Sequence, residues 1–481
     1  MTATDQAPVI CWFRQDLRLG DNPSLSAAVG TGRPVLPVYV LDDINAGDWP
    51  MGAASRWWLH QSLRALDASL DGALCCFKGK ADEIIPELVR RSGATAVFAN
   101  RCVEPWRVAR DQSIEAALGA EGIDMRVFQG ANLFDPAAVA KPDGTPYRVF
   151  TPYYRRGCLQ GQEPPRTPLP PPHSLQTKTC DGRVGIDALG LMPRHAWYRN
   201  MQRDWQPGEV GALDRLDDFV DSGLPGYKEG RNRPDLRRTS RLSPHLHFGE
   251  LSPNQVWHAL APLQNDPQLA RDVDSFRSEL GWREFSYYLL WHWPSLPTEN
   301  WQPKFDRFPW QSDARVLRLW QQGLTGYPII DAGMRELWQT GYMHNRVRMI
   351  VGSFLVKNLL LHWRHGADWF WDTLVDADLA NNSASWQWVA GCGADAAPYF
   401  RIFNPVTQGQ NFDPDGVYVR RHIPELQVLP MKYCHRPWAA PTALRQSVDY
   451  PEPIVDLKTS RERALASFKS LSNEPKAAAV R

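Results

Sequence analysis

The sequence predicts an α/β N-terminal domain, built on a doubly wound, parallel, five-stranded sheet, followed by an all-α C-terminal domain. Three observations carry this prediction. Short runs rich in β-branched and aromatic residues alternate with helix-compatible stretches up to about residue 134. Proline then accumulates, peaking in QEPPRTPLPPPH at 162–173. Helical signals take over beyond that and continue to about Arg420. The expected division is therefore 1–134 for the α/β domain, 135–207 for an extended connector, and 208–481 for the helical domain.

In order, VICWF at 9–13 and VLPVYV at 35–40 are the clearest strands, and 73–77, 95–100 and 125–128 are weaker versions. Helices are expected over 53–70, 81–91 and 106–118 between them. No G-x-G-x-x-G follows the first strand, so the dinucleotide fingerprint is absent; the chain instead reads FRQDLRLGDNPSL at 13–25. In the helical half, RLSPHLHFGELSPNQVWHAL holds two Ser-Pro pairs, each placing a cap residue before a proline at the first helical position. Ser252 with Gln255 makes a capping box. Further helices are expected over 273–293 and 343–362.

The 54 Lys and Arg nearly balance 53 Asp and Glu, so any nucleic-acid contact must come from a local basic patch. Six basic residues crowd 227–243, which reads YKEGRNRPDLRRTSRLS and ends in hydroxyls at a helix start. Such a segment serves either as a phosphate cradle or as a solvated basic loop. The eight Cys form no C-x-x-C pair and no zinc spacing, which predicts free thiols in a reducing cytoplasm and no metal. No apolar run approaches the ~20 residues of a membrane span. A soluble intracellular protein is expected.

Polar residues stand in an apolar, Trp-rich background in GYMHNRVRMIVGSFLVKNLLLHWRHG (from Gly341) and DADLANNSASWQWVAGCGADAAPYFRIFNP (from Asp376). An ordinary core avoids this, because an unpaired buried amide or charge is costly, so a polar ligand is expected to satisfy them. This wording, spanning tens of consecutive residues, resembles the FAD-binding domain of the DNA photolyase and cryptochrome family. FRQDLRLGDNPSL resembles the opening of that family's N-terminal domain.

The resemblance implies one non-covalent FAD, active as fully reduced FADH−. It assigns the pyrophosphate contact to Thr239, Ser240, Arg241, Leu242 and Ser243, accompanied by Tyr227. Phe276, Glu279 and Arg283 fall on one face of their helix, and Asn345, Arg348 and Met349 on one stripe of the next. All but Met349 match family positions beside flavin, as do Asp376, Asp378 and Asn382, the last facing flavin N5. Glu279, Asn345, Met349 and Asn382 are the catalytic candidates. Trp310, Trp363 and Trp386 match the family's electron relay. Contacts to DNA or to a flipped pyrimidine dimer are implied for Trp282, Arg283, Asn345, Arg346, Met349, Trp388 and Arg401. Phe276 stands where familiar bacterial relatives carry Trp, which keeps packing and loses an indole donor.

The expected activity is light-driven repair of cyclobutane pyrimidine dimers in double- or single-stranded ultraviolet-damaged DNA, by a monomer in the bacterial cytoplasm without an obligate protein partner. A blue-light receptor cryptochrome, which would carry Asp at Asn382 and lose the aromatic at Trp388, is one alternative. A (6-4) photolyase, which needs His near Met349, and a general flavin oxidoreductase are the others. An antenna of 5,10-methenyltetrahydrofolate is expected, with a deazaflavin, a second flavin or no antenna left open. Trp106 and Arg107 replace the Asn-Glu of folate-binding bacterial relatives, so that pocket does not carry over.

Overall fold

The computed structural model describes residues 6–396 and 400–471. The chain forms two compact units, one of Met1–Lys228, Arg238–Pro294 and Val375–Ala380, the other of Glu229–Arg237, Ser295–Leu374 and Asn381–Arg481.

The first unit opens with β1 (Val9–Phe13), α1 (Pro23–Val29), β2 (Val35–Leu41), α2 (Ala53–Ser69), β3 (Cys75–Lys78), α3 (Ala81–Ser92), β4 (Ala96–Asn100), α4 (Pro105–Ala120) and β5 (Asp124–Phe128). All pairings are parallel in the order β3-β2-β1-β4-β5, with Val9 opposite Val35 and Ile10 opposite Val97. Every residue of β1 and β2 is buried, as strands covered on both faces require. Ile10, Trp12, Leu36 and Val38 pack with Ile85, Leu88, Ile114 and Leu118 of α3 and α4.

The loop after β1 is not a solvated one. Arg14, Asp16, Arg18, Asp21 and Asn22 are all buried. Arg18 donates to Asp21 O (2.7 and 3.2 Å), Gly249 O (2.8 Å) and Gly130 O (3.0 Å). Gly249 has φ +65°, and a Cβ there would press on the Asp16 backbone at 2.6 Å, so only glycine admits the loop.

The connector departs from the extended course expected of it. It holds a helical turn at Phe150–Pro152 and wide π turns at Tyr153–Gln160, burying Tyr147, Phe150, Tyr154 and Cys158. Their spacing of three and four is a helical period hidden among Pro, Gly and Arg. Its later part touches the sheet through bridges from Thr177 to Val35 and from Val184 to Cys76. After it come α5 (Ser243–Phe248), α6 (Pro253–Ala259) and α7 (Ala270–His292). Ser252 completes the capping box with Gln255. Ser243 does not cap, however: it is the first residue of α5, and its hydroxyl donates to Asp376 Oδ2 at 2.5 Å.

In the second unit α8 (Pro328–Thr340) precedes α9 (Asn345–Ser353), α10 (Trp363–Thr373) and most of α11 (Leu379–Ala390). The single helix expected over 343–362 is instead α9, a π turn at Phe354–Asn358, and a break at Leu360, whose φ is +56°. His344 starts α9 by accepting the Arg346 N–H on Nδ1 at 3.2 Å. Among the described residues no helix is long and apolar enough to cross a membrane.

Replacing Arg18 by Met strips the bonds from three buried carbonyls and removes one of the two cations beside the Asp21 carboxylate, leaving Arg166 as its partner of opposite charge. The expected loss is about 3–5 kcal/mol, read as a lower urea midpoint by near-ultraviolet circular dichroism. Arg33→Met, at an exposed arginine bonded to Ala7 O, shifts the midpoint by no more than about 0.5 kcal/mol.

Candidate functional site

In the first unit, residues 239–243 turn through Arg241 (φ +53°) into Leu242 (φ −84°, ψ −7°), the left- then right-handed pairing from which anion-binding nests are built, with the Leu242 N–H donating to Ser240 Oγ at 3.3 Å. The turn is held from outside. The Arg241 guanidinium lies 4.0 Å over the Trp205 ring, and Arg238 donates to Ser222 O (2.8 Å) and Pro225 O (2.6 Å). Asp272 fixes the preceding turn by accepting the N–H groups of Gly226 (2.9 Å) and Lys228 (2.8 Å). Two cations of the basic segment are thus spent on structure, whereas Lys228 and Arg237 are exposed.

Helix α7 separates its candidates by depth. Phe276 is buried, tilted on Phe219 at 4.5 Å and edge-on to Tyr227 at 5.2 Å. Trp282 is 36 % exposed, and Glu279 is half-buried. Arg283 is engaged by protein: it donates to Ala131 O (2.8 Å), pairs with Glu284 (3.3 Å) and lies over Tyr287 at 4.4 Å. Its expected flavin and DNA contact is therefore joined by a role holding α7 to residue 131.

Asp376 and Asp378 are both buried. Asp376 Oδ2 receives the Ser243 hydroxyl; Asp378 Oδ2 receives Tyr287 OH (2.8 Å) and His247 Nδ1 (3.4 Å). Sequence reading missed Tyr287, His247 and Glu284. Burial pushes Glu284 up to about 7, against the pull of Arg283 and two backbone N–H groups. A Glu directly after a singled-out Arg, on the face towards the sheet domain, was the available signal.

In the second unit Asn345 is exposed at the start of α9, with Arg346, Arg348 and Met349 half-buried. Arg346 donates to Asn232 Oδ1 (2.6 and 3.2 Å) and covers the Phe412 ring at 4.5 Å. Arg348 Nε donates to Met343 O (2.7 Å). Burial, then Arg346 and Arg348, hold His344 down at about 3, so it caps as the neutral ring. The Asn382 amide donates to Ala367 O (3.0 Å), which turns its carbonyl oxygen to the other side as an acceptor.

The relay candidates also fall in this unit. Trp310 meets His362 edge-on at 5.0 Å, and His362 lies against Trp363 at 5.6 Å, so one imidazole joins two of them. Trp363 is buried and donates to Asn300 Oδ1 at 2.9 Å. Trp386 sits edge-on to Phe370 (5.0 Å) and Trp320 (6.3 Å). A Cβ on Gly366 of α10 would fall inside the Trp386 ring envelope.

Trp388 donates to Asp395 O (3.2 Å) and borders a cavity of about 180 Å³ with Phe400, exposed Arg401 and buried Lys357. Burial, then Arg401, lowers Lys357 to about 7, and its Nζ donates to Arg401 O. Among the described residues no group of three or more His, Cys, Asp or Glu could hold a metal ion.

Near the carboxyl end of β1, three arginines stack on two indoles. Arg14 and Arg110 lie over Trp12 at 4.5 and 4.7 Å, and Arg107 lies over Trp106 at 4.7 Å. Arg14 pairs with Asp111 at 2.6 Å and Arg107 with Glu104 at 3.4 Å. Trp12 Nε1, Arg14 Nε and Nη2, and Glu104 Oε2 are buried without a hydrogen-bond partner.

Known proteins agree with this architecture from end to end. Residues 276–470 match the family described as FAD binding domain of DNA photolyase, and residues 9–173 match DNA photolyase. A deoxyribodipyrimidine photo-lyase of Agrobacterium fabrum is 49 % identical over 97 % of this chain and 98 % of its own length. Cryptochrome-1 of Arabidopsis thaliana is 37 % identical over 94 % of this chain and 69 % of its own length. The crystal structure of a bacterial class III photolyase from Agrobacterium tumefaciens superposes with TM-score 0.93 at 48 % identity, covering 98 % of each chain. This chain belongs to the DNA photolyase and cryptochrome family.

Proposed function

We propose that this chain is a deoxyribodipyrimidine photo-lyase, which uses near-ultraviolet or blue light to split cyclobutane pyrimidine dimers in DNA. The single observation that carries the reading is near-half identity over almost the whole length of a protein of that name. A cryptochrome reading is weaker, since the cryptochrome relative is less similar and position 382 is Asn rather than Asp.

FAD fits the residues present. Acceptor carboxylates at Asp376 and Asp378, a neutral amide at Asn382 and the nest-like turn with hydroxyls at 239–243 suit a ligand that combines ribityl hydroxyls, ring N–H groups and a pyrophosphate. When bound and fully reduced, FAD supplies the electron on excitation. Tyr227, Phe276, Arg283, Asn345 and Arg348 complete its proposed surroundings. Because the Asn382 amide donates to Ala367 O, its oxygen is the end free to accept a proton donor, and it carries no charge to oppose an anion.

The dimer is proposed to leave the helix and rest on Trp282 and Trp388, base flipping being a property of photolyases as a class. A dimer is poorly stacked already, so extruding it costs less than extruding an intact base. Met349 packs beside it, and Glu279 and Asn345 bond its carbonyls. The glutamate bond strengthens as the dimer takes up negative charge. Two carbon–carbon bonds then break and the electron returns, so no net oxidation occurs. Lys228, Arg237, Arg346 and Arg401 are proposed to meet phosphates independently of sequence, in double or single strands. Trp310, Trp363 and Trp386 would restore the reduced cofactor. We further place the protein in the bacterial cytoplasm as a monomer without an obligate partner.

An antenna of 5,10-methenyltetrahydrofolate is proposed at the Trp12 and Arg14 cluster, supported by its unpartnered buried indole, guanidinium and carboxylate atoms. The donors suit the carboxylates and ring carbonyl of such a group, although Trp106 and Arg107 rule out the arrangement of other folate-binding relatives.

The reading is tested by illuminating reduced protein with an oligonucleotide containing one thymine dimer. Light-dependent return of two intact thymines is expected, and its absence would move the cryptochrome reading to first place. Glu279→Gln is expected to lower the yield of splitting per absorbed photon while dimer binding, measured in the dark, holds within about threefold. Trp363→Phe should stop photoreduction of oxidised flavin, followed by its visible absorption, while chemically reduced protein still splits dimers.

A further inference from the structure

The connector delivers an aromatic column to Trp282, an exposed residue in the middle of α7. Tyr154 stacks on Phe150 with ring centroids 5.5 Å apart and planes 9° from parallel, and Phe150 stacks on Trp282 at 3.7 Å and 11°. Exposure rises along it, from 2 % at Tyr154 through 8 % at Phe150 to 36 % at Trp282, so the column is rooted in the core and ends at solvent. The root is clamped. The Tyr154 ring lies directly on Gly281, where a Cβ would stand 2.7 Å from it. Phe285 braces the upper two rings edge-on, at 6.0 Å from each. The π turns of Tyr153–Gln160, which begin next to this column, are a backbone form found often at functional sites.

We propose that Phe150, backed by Tyr154, is a positioning residue for damage recognition, holding the Trp282 ring so that an unstacked pyrimidine pair adds to the column as its next layer. The proposal rests on the reading of Trp282 as a base platform. Phe150 covers one indole face, so a flat ligand can lie only on the other. It also removes, at folding, rotamer freedom that an unsupported tryptophan would lose on binding. Phe150 itself touches no base. Its contribution is expected in the preference for damaged DNA and not in general DNA affinity, which follows the phosphate contacts.

The test uses flavin-loaded protein in the dark at fixed salt. Dissociation constants are measured for a duplex with one thymine dimer and for the same duplex intact. Phe150→Leu keeps apolar bulk without a ring, and is expected to weaken dimer binding about 3- to 10-fold, as the loss of one stacking contact implies. Binding to intact duplex should stay unchanged, and Phe150→Tyr should restore the preference. Trp282→Ala should lower the preference at least as far, and adding Phe150→Leu to it should do nothing more, since the two act as one unit. A wild-type preference in folded Phe150→Leu, or effects that add, would overturn the proposal. An unchanged preference in Trp282→Ala would sink the platform reading and the proposal with it; no preference in the wild type would sink the photolyase reading itself. If Phe150→Leu does not fold, Gly281→Ala displaces the Tyr154 ring without deleting one. It should lower the preference in the same way, and a wild-type value there overturns the proposal equally.

Discussion

The buried guanidinium of Arg18 is the constraint from which the first unit is organised. A cation taken fully out of water is tolerated only when its donors meet acceptors and an opposite charge stands close. Arg18 meets carbonyls from residues 21, 130 and 249, three stretches far apart in sequence. Asp21 supplies the charge and is itself bonded by Arg166 of the connector, the Leu169 N–H and Ser252 at the start of α6. Glu209 closes the same loop by accepting from the N–H groups of Leu19 and Gly20, each at 2.8 Å. Sheet domain, connector and helical start therefore share one polar knot, and α7 inherits its place from it through Arg283 and Glu284.

Much of this was legible in the sequence where a local period decides the structure. The five strands and α2, α3 and α4 fall within a few residues of expectation, because alternation of fully buried runs with amphipathic stretches has few other solutions. The capping box at Ser252 was equally plain. The short α1 (Pro23–Val29), capped by Asn22 after the polar loop, was not foreseen. What else escaped depends on partners remote in sequence. Ser243 carries the same Ser-Pro wording as Ser252, yet its hydroxyl is taken by Asp376, more than a hundred positions away. The helix over 343–362 is apolar enough to be continuous, but a left-handed Leu360 interrupts it. No propensity marks a leucine for that conformation.

At the candidate site, sequence reading found the residue types and not their division of labour. Arg238, Arg241 and Arg283 look alike on paper, as cations near an expected anion. Each turns out to brace backbone or lie over an aromatic ring. Tyr287 and His247 could not be picked out at all, since an aromatic and an imidazole in apolar helices announce no particular partner. Their importance comes from meeting Asp378, and that meeting is a property of the packed unit alone.

The notch at Gly366 narrows the set of sequences this fold can accept. Its backbone is ordinary right-handed helix, so alanine would raise the helix propensity of α10 by up to about 1 kcal/mol. Nothing local forbids the exchange. The ban comes from Trp386, whose ring edge fills the space of the missing methyl. Gly352 meets the same ring only at 3.5 Å, and its nearest contact is a Val389 methyl at 3.1 Å, which a shift of a few tenths of an ångström relieves. Random substitution would thus find one of these glycines permissive and the other closed. A homologue that altered residue 366 would have to resize the aromatic at 386 in the same step.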